Sequence, residues 1–216
     1  MTLALRMIAG AIAPMALAAP AAAEHLEPRN ACSAMAGADE FRMTLVTAVA
    51  NRDAEMLQTV VDPDILLDFG GGSGWREMRA RLDAADYRLW DELDTVIRLG
   101  CDRAYQDSLV MPYYWGQDFG DMDAYGTYIV LGADVPMFAT AKGESRIARL
   151  RWEAVEAVGF FDMVEGNREA PLWEVQTRNG KRGFVDHTLL RALVDYRLIA
   201  EQRDGGWKIT TFVAGD

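Results

Sequence analysis

Around Cys101 the hydrophobic period of this chain changes, and that change limits the fold more than any motif does. Before it, apolar residues recur at helical spacing. "ADEFRMTLVTAVANRD" places Phe41, Leu45, Ala48 and Val49 on one face, with Asp39 as N-cap. "AEMLQTVV" is a second, shorter helix, ended by Asp62-Pro63, and "ILLDF" over 65–69 is a strand. "WREMRARL" carries Trp75, Met78 and Leu82 at helical spacing. "YRLWDELDTVIRLG" does the same with Trp90, Leu93 and Ile97, and Gly100 is its stop. After Cys101 the segments are short, β-branched and aromatic: "SLVMPYYW", "YGTYIVLG", "DVPMFAT", "AVEAVGFFDMV", "LWEVQTR" and "RGFVDH". Asn179-Gly180 and Asp204-Gly205-Gly206 are hairpin turns, and the last strand sets Trp207, Ile209, Thr211 and Val213 on one face. Helices first and strands second make an α+β protein, with N-terminal helices against an antiparallel sheet.

Residues 1–23 read as a secretory signal peptide. Arg6 supplies the positive end, "MIAGAIAPMALAA" the short apolar stretch, and Ala21 and Ala23 the small residues before a cut at Glu24. A retained anchor is the alternative, but the apolar stretch is short for a membrane span and no later run is long enough. A periplasmic or secreted location follows, with no stable membrane insertion after cleavage. The formal charge of −11 becomes one unit more negative without Arg6, which disfavours nucleic acid and anionic surfaces as partners. Two cysteines remain, Cys32 and Cys101, and an oxidising compartment favours their pairing. That bridge closes a loop worth about 4 kcal/mol in the chain-entropy model and ties the N-terminal arm to the body. A reactive thiol is the alternative, though neither cysteine has a histidine nearby in sequence.

From Gly132 to about Leu190 the chain resembles a bacterial-type SH3 domain. The residues that carry the likeness are "GADVPMFATAKGESRIARLRW" and "LWEVQTRNGKRGFVDHTLL", with Trp173 and Val175, the turn glycine, Gly183-Phe184-Val185 and a closing Leu189 or Leu190. "FFDMVEGNREAP" is then an enlarged loop. The resemblance implies a small β-barrel, in which Trp173 and Phe184 are core rather than a ligand platform. The flanks resemble a nuclear transport factor 2-like fold: "FRMTLVTAVANRDAEMLQTVVDPDILLDFG" as opening helices and first strand, and "DYRLIAEQRDGGWKITTFVAGD" as closing hairpin. After the leader over 1–23, the two likenesses imply a helical α+β unit over 24–130, the SH3-like barrel over 131–192, and a hairpin over 193–216 that completes the first unit's sheet.

The most motif-like segment is "LDFGGGSGWREM", from Leu67 to Met78. A phosphate loop of the Walker type needs a lysine, and none occurs before Lys142; a dinucleotide turn needs a βαβ frame. It reads as a strand-to-helix turn with Ser73 or Gly74 as N-cap. No metal or cofactor is implied. His25 and His187 are the only histidines, and Asp118, Asp121 and Asp123 lack calcium-loop spacing. The best binding candidate is Tyr113-Tyr114-Trp115. At strand period at least one of the three faces away from a given core, where it could stack on sugars or prolines; the alternative is a seam between helices and sheet. The expectation is an exported, non-catalytic binding or interaction protein. The SH3 likeness implies a peptidoglycan peptide or an envelope protein as ligand. The alternatives are a cell-envelope hydrolase, which would need a free thiol with His187, and a small-ligand carrier with a concave apolar pocket.

Overall fold

Helix formation in the first hundred residues follows the apolar spacing. A computed structural model describes residues 25–104, 107–159 and 170–215; the expected leader and most of the expected loop around 160–171 lie outside them. In chain order the first unit contains β1 (Arg29–Asn30), α1 (Ala38–Ala50), α2 (Ala54–Gln58), β2 (Val61–Leu66), α3 (Trp75–Asp83), α4 (Leu89–Arg98), β3 (Gly100–Arg103) and β4 (Leu109–Met111). The chain then forms β5 (Thr127–Val130), β6 (Val135–Phe138), β7 (Arg146–Leu150), β8 (Ala154–Ala157), β9 (Leu172–Thr177), β10 (Arg182–Asp186) and β11 (Leu190–Ala192). It closes with β12 (Arg197–Arg203) and β13 (Gly206–Val213). The protein is α+β.

Two sheets organise these elements. Sheet I has the order β1-β3-β4-β12-β13-β2, and sheet II the order β11-β5-β8-β9-β10-β6-β7. All of sheet II lies between β4 and β12 in sequence, while β4 and β12 themselves pair antiparallel, Val110 opposite Ile199. β5, placed with the first unit by the sequence division, is a strand of sheet II. Sheet II is antiparallel throughout and open in its order, with β11 and β7 as edges. Sheet I is not purely antiparallel as expected. Its centre is, but β1 joins β3 and β2 joins β13 in parallel. Both added strands arrive from the N-terminal hundred residues, so the pairing is long-range and leaves no local signature.

Three local expectations are corrected. Asp39 is not the cap of α1; Gly37 is, in a left-handed conformation, and Asp39 and Glu40 instead lie in the first turn, where they favour the positive helix end. The strand expected over 65–69 is β2, four residues earlier. Pro63 is accommodated inside it because β2 is an edge strand with no ladder bond to give up on its outer side. In β13 a bulge between Ile209 and Thr211 resets the alternation. Trp207 and Ile209 point into the core as expected, but Phe212 takes the next inward place and Thr211 does not.

The helices cover one face of sheet I, and Leu45, Leu57, Met78, Leu93, Ile209 and Phe212 fill the space between them. Sheet II has its own small core around Val135, Met137, Val155, Val175 and Val185. Gly183 in β10 is required there: a Cβ would stand 2.6 Å from Met137 Cγ and 2.8 Å from the Phe138 oxygen. A third cluster, Leu26, Leu99, Tyr114, Ile129 and Leu193, joins the two sheets.

Leu26 comes from the N-terminal arm, and the arm is bonded at both ends. Its amide donates to the Trp152 carbonyl at 2.5 Å, and Glu27 pairs with Arg151. Farther on, Arg29 and Asn30 pair with Gly100 and Cys101, and Cys32 is disulfide-bonded to Cys101. Gly100 allows this approach. Its φ is +82°, and a Cβ would stand 2.2 Å from the Arg29 oxygen. Gly100→Ala is therefore expected to displace the arm and cost about 2 kcal/mol, from backbone strain plus overlap. Urea unfolding checks it; an unchanged midpoint would contradict the close approach.

Candidate functional site

The glycine-rich turn is built around one carboxylate. Asp68 accepts hydrogen bonds from the backbone N–H of Gly70 at 2.8 Å and of Gly72 at 2.9 Å, and from Arg81 Nη2 at 2.5 Å. Arg81 also donates Nε to Glu77 at 2.9 Å and Nη1 to the Leu67 carbonyl at 3.3 Å. Gly72 must lack a side chain, since a Cβ would overlap both Asp68 Oδ2 and Arg81 Nη2, at 2.1 and 2.2 Å. Gly74, at φ +86°, is the N-cap of α3. The Asp68 carboxylate is thus spent on the turn itself, and Phe69 beside it is 57% exposed.

The Arg81 bond, then the Gly72 and Gly70 amides, hold the Asp68 carboxyl below the usual carboxylate range. A lowered folded-state value means that this contribution to loop order is fully present above about pH 4 and is lost as pH falls through the lowered value. The Gly70 and Gly72 amide shifts should therefore titrate with a midpoint below about 3.9. A midpoint at or above that value would contradict the Asp68 lock.

Phe69 does not stand alone. At the start of β12, Arg197 donates Nη1 to the Gly215 carbonyl at 2.5 Å, and its guanidinium carbon lies 4.2 Å from the centre of the Trp115 ring and 5.7 Å from that of Phe69. Arg81 lies 4.9 Å from the ring centre of Tyr87, which is also exposed. Arg81 and Arg197 are themselves buried, at 7% exposure each. Two buried guanidinium groups thus lie against three aromatic side chains, the exposed Phe69 and Tyr87 and the half-buried Trp115, and the Asp68–Phe69 step links the two sets along the chain. Stacking on an aromatic face favours a cation by about 0.5–2 kcal/mol and fixes the ring's orientation.

Beneath this face lies a third buried arginine. Arg191, on β11, reaches across to α4 and the loop before β12. It contacts Glu92 at 3.1 Å, Asp195 at 3.2 Å and the Tyr196 carbonyl at 3.2 Å. Burial alone would lower its pKa, but Tyr114, Asp195 and Glu92 outweigh that and hold it raised. Tyr114 sits in the field of this guanidinium without hydrogen-bond geometry to it, and burial pushes its hydroxyl well above the usual value. Tyr196 stacks on Phe212, ring centres 4.9 Å apart.

The structure separates Tyr113, Tyr114 and Trp115. They form a 3₁₀ turn, Tyr113–Gly116, and not a strand, so three successive side chains diverge in three directions. Tyr113 is buried beside Arg29, whose guanidinium carbon is 5.4 Å from its ring centre; Tyr114 is buried in the seam between sheets; Trp115 is half-buried and reaches the aromatic face. Phe69, Tyr87, Arg81 and Arg197 were not legible as a group, because four separate segments contribute them.

Other candidate chemistry resolves into structure. Both cysteines are fully buried in the disulfide, which removes them as thiol nucleophiles. His187 begins the 3₁₀ turn between β10 and β11, stacked 5.3 Å from Trp173, whose other neighbour Tyr128 meets it edge-on at 5.5 Å. Asp118 and Asp123 accept from the amides of Gly120 and Tyr125 and shape their own turns. A cleft of about 530 Å³ lies between α1 and the β12–β13 hairpin; Glu40, Thr44, Gln202 and Lys208 line it, and it is open and mixed in polarity. No helix among the described residues is long and apolar enough to cross a membrane. The chain matches no protein-family model, and no curated protein or solved structure matches it either.

Proposed function

We propose that this chain is an exported, non-catalytic binding protein of the cell envelope. Its ligand is a peptide of the kind found in peptidoglycan stems, received on Phe69, Trp115 and Tyr87. The observation that carries the reading is the pair of aromatic rings, Phe69 and Trp115, set on the buried Arg197. Such a face offers rigid rings, held in orientation by the guanidinium groups behind them, for stacking on a flat or apolar group. The disulfide supports an oxidising compartment. The likeness of residues 132–190 to bacterial SH3 domains supports the envelope setting, and the open antiparallel order of sheet II leaves that likeness as part of the proposal.

Purified sacculi test this reading. The mature, oxidised protein should co-sediment with them above an acidic control protein, and Phe69→Ala combined with Tyr87→Ala should weaken retention by about tenfold. Both side chains are exposed, so the fold survives their removal. No enrichment over the control, or retention unchanged in the double variant, overturns the assignment.

A further inference from the structure

The chain is strongly acidic, yet one edge of sheet II is basic. β7 is the last strand of its sheet and pairs with β6 alone, so among the described residues its outer side is open. Lys142 in the β6–β7 loop, Arg146 on β7, and Lys181 and Arg182 at the β9–β10 turn are all exposed at this end. Lys181 reaches the strand itself, donating Nζ to the Ile147 carbonyl at 3.2 Å, while Arg182 donates to Gln176 at 2.7 Å. None of these four cations meets a carboxylate among the described residues, whereas Arg52, Arg79, Arg88, Arg98 and Arg103 each do. Arg149 on β7 is paired with Asp134, and Glu144 is the one acid between Ala139 and Arg151. Ile147, 40% exposed, is the bulged residue of β7, and its side chain lies toward Gly183 of β10, which leaves 148–150 as the regular stretch of the edge.

An open strand edge offers unpaired backbone donors and acceptors to any extended chain, and its side chains choose which chain. Two copies of this edge repel each other through their cations. An extended segment with carboxylates at alternate positions complements it, its acidic side chains meeting Arg146 and Lys181. We propose that the β7 edge is a second binding surface, distinct from the aromatic face, which takes an acidic extended segment of a protein partner by strand addition.

The test uses the mature, oxidised protein and a fluorescein-labelled peptide of alternating glutamate and valine. Anisotropy should report saturable binding, and Arg146→Glu with Lys181→Glu should raise Kd by more than about tenfold. Phe69→Ala with Tyr87→Ala should leave this Kd unchanged, which separates the edge from the aromatic face. Main-chain pairing should also slow amide exchange within residues 146–150. Four results would overturn the proposal: no binding, equal binding of an alternating lysine–valine peptide, binding without slowed exchange, or binding of phosphatidylglycerol vesicles with none of the acidic peptide.

Discussion

Replacing Cys32 and Cys101 together by serine is expected to lower the stability of the protein by about 4 kcal/mol. The bond joins residues 69 apart in sequence, and the loop it closes holds all of α1 to α4. Releasing that constraint restores conformational freedom to the unfolded chain. The folded state loses as well, because Cys32 anchors one end of the arm whose other end joins the two sheets. Leu26 is 5% exposed in the seam, and Glu27 holds Arg151 of sheet II. With a urea slope of about 2 kcal/mol/M, the midpoint should fall by about 2 M. A second measurement isolates the arm. Leu26→Ala should cost about 2–3 kcal/mol in the oxidised protein and clearly less without the disulfide, since an untethered arm holds Leu26 in place less often. A loss below about 1 kcal/mol for the double serine variant, or full additivity with Leu26→Ala, would show that the arm docks without its bond.

The arm also shows what the sequence made readable. Pairing of the two cysteines followed from their number and the expected compartment, and α1, α4 and the two tight hairpins followed from local period and turn chemistry. These signals lie within a few residues of one another. The parallel attachment of β1 and β2 depends on partners 71 and roughly 150 positions away, Asn30 with Cys101 and Val61 with Ile209, so no window contains it. The aromatic run was hard to place for a related reason. Tyr113, Tyr114 and Trp115 are adjacent in sequence, and adjacency suggested a shared surface; the turn that follows Pro112 sends each to a different environment. The proposed binding face takes Phe69 from the glycine turn, Tyr87 from the α3–α4 loop and Trp115 from the 3₁₀ turn. Each was an ordinary aromatic in its own segment. Arg197 begins a strand whose alternation marks Leu198 and Ala200 as core, and nothing in that pattern distinguishes its guanidinium from an exposed one.

Arg191→Met is expected to destabilise the protein by about 3 kcal/mol and to loosen sheet II from sheet I. The arginine is 8% exposed, and its carboxylate partners come from the first unit and the loop that returns to it. Methionine keeps much of the volume, so the loss is mainly electrostatic. Glu92, at 22% side-chain exposure, would be left beside an apolar group with no opposite charge, and breaking one member of a buried pair costs about 3–5 kcal/mol. Asp195 is more open to water and recovers part of its solvation, which places the effect at the lower end. Removing both charges discriminates between lost attraction and a stranded acid. Arg191→Met combined with Glu92→Met should recover at least half of the loss, because the uncompensated carboxylate is gone. The Tyr114 environment gives an independent readout: its ring resonances should shift in Arg191→Met, while those of Trp173, inside sheet II, should not. Equal destabilisation of the single and double variants would mean that Arg191 acts through packing alone. A loss below about 1 kcal/mol would mean that the seam of Leu26, Leu99, Ile129 and Leu193 holds the sheets together without it.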